Sequence, residues 1–129
     1  MNSIVKHLFD LKDSFPDLIA LKIGEQTISY AELIEKSMLV AASLDSIGAR
    51  RETVGLVGQR NTSSYIGILG ILFAGCSFTP INPKYNPTKI SSILRESKIR
   101  FLVGDPVDIN QLESSILNDI ETIILPEGD

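Results

Sequence analysis

From Tyr30 onward the apolar side chains recur at helical spacing. Leu33, Ile34 and Ser37 fall three, four and seven positions after Tyr30, and Val40, Ala41 and Leu44 repeat that spacing from Ser37. The pattern predicts an amphipathic helix of about four to five turns with one stripe facing a core. Ser29 precedes it, with Glu32 three positions on. That is the arrangement of a capping box, in which each side chain can satisfy a backbone N–H. Gly48 can supply the left-handed residue that ends the helix. Upstream, Ile4, Val5, Leu8, Phe9 and Leu11 share one helical stripe, and Ser14, Pro16 and Asp17 break it. Residues 18–23 and 26–29 flank Gly24-Glu25, a pair suited to a type II′ hairpin.

After Gly48 the pattern alternates strand and helix. Residues 54–57 form a short apolar run of the kind buried on both faces of a parallel sheet. Asn61 or Thr62 can cap a helix over residues 63–73, with apolar residues all round its circumference, so full burial is expected. Gly75 stops that helix, and residues 77–79 read as the next strand. Asn86 followed by Pro87 marks another helix start, with proline at the first helical position. That helix turns Ile90, Ile93 and Leu94 inward and leads to a strand at 99–103. Asp108 is placed to cap a last helix carrying Ile109, Leu112 and Ile116, followed by a strand at 121–125 and a loop from Pro126. Strand and helix in alternation predict an α/β fold: a doubly wound, mostly parallel sheet with helices on both faces, preceded by a small helix and a β-hairpin.

Composition narrows this without redirecting it. At 129 residues and 43% hydrophobic content, the chain fits a single domain, 1–129, with a packed core. Net charge is −4, and the 12 Lys and Arg are scattered, so no basic face invites nucleic acid. The apolar stretch 65–78 is several residues short of the ~20 that cross a bilayer, and Lys6, His7 and Asp10 interrupt the N-terminus. No membrane association and a cytoplasmic location are expected. The single cysteine, Cys76, excludes an internal disulfide and a four-cysteine metal site.

The chemistry-bearing residues are few. Gly70 and Gly75 have the glycine spacing of a P-loop, but the lysine is missing and Gly70 lies within the apolar helix. Gly55 and Gly58 lack the third glycine of a dinucleotide fingerprint and are better read as relieving crowding at a strand end. His7, the only histidine, reads as a solvated helix residue, and Cys76 as a buried thiol with no cation to activate it. Asp105, Asp108, Glu127 and Asp129 lack calcium-loop spacing and read as caps and loop solubilisers. Arg60 and Asn61 follow the strand at 54–57, where an open parallel sheet binds ligands, and are the best candidate binding positions. A helix cap accounts for Asn61 equally well.

Two long segments carry a resemblance. "ISYAELIEKSMLVAASLDSIGARRETVGLVGQRNTSSYIGIL", residues 28–69, resembles the first core motif of the adenylate-forming superfamily. "GILFAGCSFTPINPKYNPTKISSILRESKIRFLV", residues 70–103, is similar to the second, a leucine-x-alanine-glycine run followed by a short strand, proline and a tyrosine-proline turn. Residues 15–21, "FPDLIAL", suit the family's opening strand. The superfamily includes acyl-CoA synthetases, aryl-acid ligases, luciferases and the adenylation domains of nonribosomal peptide synthetases. Phe73 replaces its common lysine. Asn82 and Asn86 stand where amino-acid-activating members usually have aspartate and proline, which leans toward acyl- or aryl-activating relatives.

The resemblance implies ATP- and magnesium-dependent activation of a carboxylic acid to an acyl- or aminoacyl-adenylate, with the acyl group then passed to a thiol. It also implies that the phosphate loop, nucleotide contacts, magnesium-binding glutamate and catalytic lysine follow residue 129. No catalytic, cofactor-binding or metal-binding residue is therefore carried over onto this chain. The expected partner is the remainder of the ligase, in cis or in trans, and the chain alone is expected to be inactive. A truncated homologue acting as a binding or assembly module is the alternative. An uncovered sheet edge would favour a homo-oligomer.

Overall fold

The computed structural model describes residues 3–58 and 61–127 of the chain. In order it contains α1 (Ser3–Ser14), β1 (Ile19–Ile23), β2 (Gln26–Ser29), α2 (Tyr30–Ser46), β3 (Thr53–Val57) and α3 (Thr62–Phe73). Then come β4 (Ser77–Ile81), α4 (Pro87–Glu96), β5 (Phe101–Gly104), α5 (Pro106–Asn110), a 3-10 segment (Ser114–Asp119) and β6 (Thr122–Ile124). β1 and β2 pair as an antiparallel ribbon; β4-β3-β5-β6, in that spatial order, form a parallel sheet. This is the doubly wound architecture that the alternation predicts.

β3 is central because its side chains serve two cores in alternation. Val54 and Leu56 join Leu33, Val40 and Leu44 of α2 and Ile66 and Ile71 of α3 on one face. Val57 joins Ile81, Ile90, Leu94 and Leu102 on the other. Beyond the half-buried Thr53 at its start, burial on both faces leaves no polar side chain in the strand, so residues 54–57 read as an unbroken apolar run. Pro80 sits in β4, an outer strand of the sheet, where a missing N–H is tolerated.

The six stripe residues of α2 are all buried, as predicted. Ser29 Oγ accepts from Glu32 N–H at 3.2 Å. The return half of the capping box is not made: the Glu32 carboxylate lies 3.9 Å from Lys36 Nζ instead. Gly48 ends this region at φ +72, and Gly24 opens the hairpin turn at φ +59 with Glu25 at negative φ, as a type II′ turn requires. Where α2 crosses α3, a Cβ on Gly70 would stand 2.5 Å from Val40 Cβ and 2.9 Å from the Ser37 carbonyl oxygen. The glycine of the P-loop-like spacing is thus a helix-packing glycine.

Four expectations need correction. α3 is not fully buried, since Leu72 is 40% exposed. Ile4 is exposed and lies off the α1 stripe, where Val5 is buried and Phe9 packs its ring 5.5 Å from Phe73. The last helix starts earlier and is split in two: Asp105, not Asp108, is its cap, accepting from Asp108 N–H at 2.8 Å. Pro106 at the first helical position favours that earlier start. Ile116 then lies in the separate 3-10 segment. Finally, the strands shift by one or two residues, β5 beginning at Phe101 and β6 ending at Ile124. Among the described residues, no helix is long and apolar enough to cross a membrane.

Candidate functional site

From β3 the chain passes through α3 to β4 on one side, then returns through α4 to β5 on the other. The connections therefore diverge between β3 and β5, which leaves a crevice beyond the carboxyl ends of those strands, the usual ligand position of an open α/β sheet. Here the crevice is a cavity of about 290 Å³ whose walls come from four places in the sequence: Gln26, Asn61–Ser63, Asp105–Val107 and Glu127.

Asn61 occupies the N-cap of α3 and accepts from Ser64 N–H at 2.8 Å. Its Nδ2 also donates to Asp105 Oδ2 at 3.3 Å, joining the cap of α3 to the cap of α5 across the switch point. Asn61 is therefore the helix cap and also lines the crevice. Arg60, its predicted companion, lies outside the described residues, as does Asp129.

Glu127 was not recognisable from the sequence as more than a loop residue, and its role is larger. Ser63 Oγ donates to its Oε2 at 2.6 Å, and Lys36 Nζ donates to Oε1 at 2.9 Å. These bonds hold the Glu127 carboxyl below its ordinary pKa, the Ser63 hydroxyl contributing most and Lys36 next. The Glu127 hydrogen bond is the main cause raising the Lys36 pKa. No local signal links positions 36, 63 and 127; only the fold does. Asp108 is buried, in contrast to a loop solubiliser.

His7 and Cys76 lie as their sequence context predicts. His7 is exposed on α1. Cys76 is buried, donates to the Ala49 carbonyl at 3.1 Å, and has its pKa pushed up by burial. Among the described residues, no group of three His, Cys, Asp or Glu is placed to hold a metal ion. Asn82 Oδ1 accepts from Lys84 N–H at 2.9 Å, and Tyr85 N–H donates to the Asn82 carbonyl at 2.9 Å. An aspartate would make the same Asx turn, so this departure from the amino-acid-activating pattern concerns turn chemistry, not a substrate pocket.

The opposite end of the sheet is tied differently. Arg100 bridges Glu52, before β3, and Glu121, before β6, and its guanidinium lies 4.8 Å from the Phe101 ring. The two carboxylates raise its pKa further above its already high value.

Comparison with known proteins agrees with this architecture. The family model for AMP-binding enzymes matches residues 9–127. Bacitracin synthase 3 of Bacillus licheniformis is 35% identical over 94 residues, covering 72% of this chain and 2% of its own length. Syringomycin synthase SyrB1 of Pseudomonas syringae pv. syringae is 31% identical over 106 residues, covering 81% of this chain and 17% of its own. The chain thus spans a small part of the relatives it matches. Among solved structures, the nonribosomal peptide synthetase FmoA3 superposes over 98% of this chain and 13% of its own with a TM-score of 0.86 at 19% identity. The N-terminal subdomain of Klebsiella oxytoca NpsA does so over 96% of this chain and 31% of its own, with a TM-score of 0.76 at 22% identity. The chain belongs to the AMP-binding enzyme family and corresponds to the N-terminal part of an adenylate-forming domain.

Proposed function

We propose that the chain is a scaffold portion of an ATP-dependent ligase that activates a carboxylic acid as an acyl- or aminoacyl-adenylate, and that it adenylates nothing by itself. One observation carries this reading. The charged groups lining the switch-point crevice, among the described residues, are the carboxylates of Asp105 and Glu127. Lys36, the nearest cation to Glu127, is already paired with it. Carboxylates repel a polyphosphate, whereas phosphoryl and adenylyl transfer need cations and N–H donors around the phosphorus centre. The described crevice does not fit the nucleotide's phosphates, so no step through ATP is derived from these residues.

What the residues do accomplish is positioning. Asn61 and Asp105 lock the two caps together, and Glu127 fastens the chain leaving β6 to α2 and α3. Rigid strand ends of this kind support loops that carry chemistry. Relatives are named bacitracin synthase 3 and gramicidin S synthase 2, with a polyketide synthase, PksN, beside them, and the structurally similar FmoA3 is named a nonribosomal peptide synthetase; the last name supports an amino acid as the activated acid.

Acid-dependent ATP–pyrophosphate exchange tests the proposal. The purified chain should give none with amino, aryl or alkyl acids; measurable exchange overturns the reading. A separately expressed remainder of the adenylate-forming domain should gain exchange on adding the chain, and equal activity without it would refute the scaffold role. The outer strands β4 and β6 also supply edges through which a second copy can pair. A monomer by light scattering at high concentration overturns that part.

A further inference from the structure

A second cavity, about 700 Å³, lies far from the crevice, at the end of the sheet where β3, β5 and β6 begin. It opens between the second half of α4 and the 3-10 segment, and its size is within the range of small-molecule sites. Leu94, Ile99, Ile116 and Ile120 provide its apolar floor. Around the rim, Arg100 is shared between Glu52 and Glu121. That leaves Arg95 and Lys98 facing the single carboxylate of Asp119 among the remaining charged lining residues.

Lys98 is held there at a cost. The turn after α4 has its backbone bonds crossed, Ile99 N–H to the Leu94 carbonyl at 2.9 Å and Lys98 N–H to the Arg95 carbonyl at 3.2 Å. This is a Schellman end, whose left-handed position normally takes glycine. Lys98 occupies it at φ +54. A lysine gains nothing from that backbone conformation. What it does contribute is a cation on the cavity rim, one turn from the Arg95 guanidinium.

We propose that this cavity binds a small amphipathic carboxylate, its head group held by Arg95 and Lys98 and its alkyl chain lying over Leu94, Ile116 and Ile120. The inference is independent of the adenylate-forming reading, because it uses the opposite end of the sheet. The probe is decanoate, with decanol as the uncharged control, both below the concentration at which they form aggregates. Amide shifts in a heteronuclear NMR titration of the isotopically labelled chain should move for residues 91–100 and 115–120. Decanol should bind more weakly.

Arg95→Gln with Lys98→Gln should weaken decanoate by about tenfold or more, the loss expected for charged hydrogen bonds. Lys98→Gly separates the ligand role from a structural one: it should unfold at the same or a higher temperature while binding decanoate less tightly. Absence of shifts, shifts confined to other surfaces, equal affinity for decanol, or unchanged affinity in the charge variants would each overturn the proposal.

Discussion

Gly70→Ala asks whether the glycine spacing of residues 70–75 serves packing. The added Cβ would lie 2.5 Å from both Cβ and Cγ1 of Val40 and 2.9 Å from the Ser37 carbonyl oxygen. Carbon–carbon contacts settle at ~3.5–4.0 Å, so α2 and α3 must separate by roughly 1 Å. Val40 is β-branched and stiff, and the Ser37 oxygen belongs to the backbone, so neither yields by a simple rotation. Overpacking of this kind costs about 3 kcal/mol, the upper part of its usual range, while alanine returns about 1 kcal/mol of helix propensity. The net loss is about 2 kcal/mol. With a urea slope of about 2 kcal/mol/M, the unfolding midpoint should fall by about 1 M at unchanged slope. Gly67→Ala is the control. Its Cβ would meet Leu56 Cδ1, the end of a flexible side chain, at 2.9 Å and Val103 Cγ1 at a less severe 3.1 Å, with no backbone atom in the way. It should lose less than Gly70→Ala. A Gly70→Ala midpoint at or above that of the wild type refutes the close-packing argument.

Three further outcomes follow from the same geometry. Asn61→Ala removes the cap on Ser64 N–H and the bond to Asp105, and should cost about 1–2 kcal/mol in urea unfolding; Asn61→Asp, which keeps the cap but sets a second carboxylate against Asp105, should not fully restore stability. Cys76 should react with a thiol reagent far more slowly in the native chain than in urea, because it is buried and its pKa is raised; equal rates would mean the surrounding packing opens freely. The lowered Glu127 pKa stabilises the fold above the ordinary glutamate value of about 4.3, and this contribution is lost as pH falls through the lower folded value. The raised Lys36 pKa has the opposite sign, its contribution lasting to high pH and fading above about 10.4. The difference in thermal midpoint between wild type and Glu127→Gln should therefore be largest near neutrality and shrink in acid; a pH-independent difference would contradict the assignment.

The parts of this fold legible in the sequence are those governed by neighbours within about one helical turn. The α2 stripe, the Ser29, Asn61 and Asn86 caps, and the Gly24 turn all depend on residues no more than four positions away. Where two local signals competed, the pattern misplaced a boundary. Asp105 and Asp108 are both credible caps, and Pro106 tips the choice toward Asp105 by fitting the first helical position. Burial all round a helix was also overestimated from composition. An apolar residue such as Leu72 is placed outside by the packing of α3 on α2 and β3, which periodicity in a uniformly apolar segment does not encode. Phe73 shows the converse: its ring meets Phe9 of α1, a contact 64 positions distant.

The crevice explains why the site was only half legible. Parallel strands deliver all their carboxyl ends to one edge of the sheet, so residues just after β3, β5 and β6 meet however far apart they are in sequence. Asn61 is legible because it lies four positions after a recognisable strand and opens the next helix. Asp105 was visible only as a cap, and Glu127 only as a charge in a terminal loop. Joined at 3.3 Å to Asn61, and at 2.6 and 2.9 Å to Ser63 and Lys36, these two carboxylates become the fastenings of the strand ends. The caps at Asn61 and Asp105 and the Glu127 bridge thus build an edge whose described residues hold the strand-end loops in place.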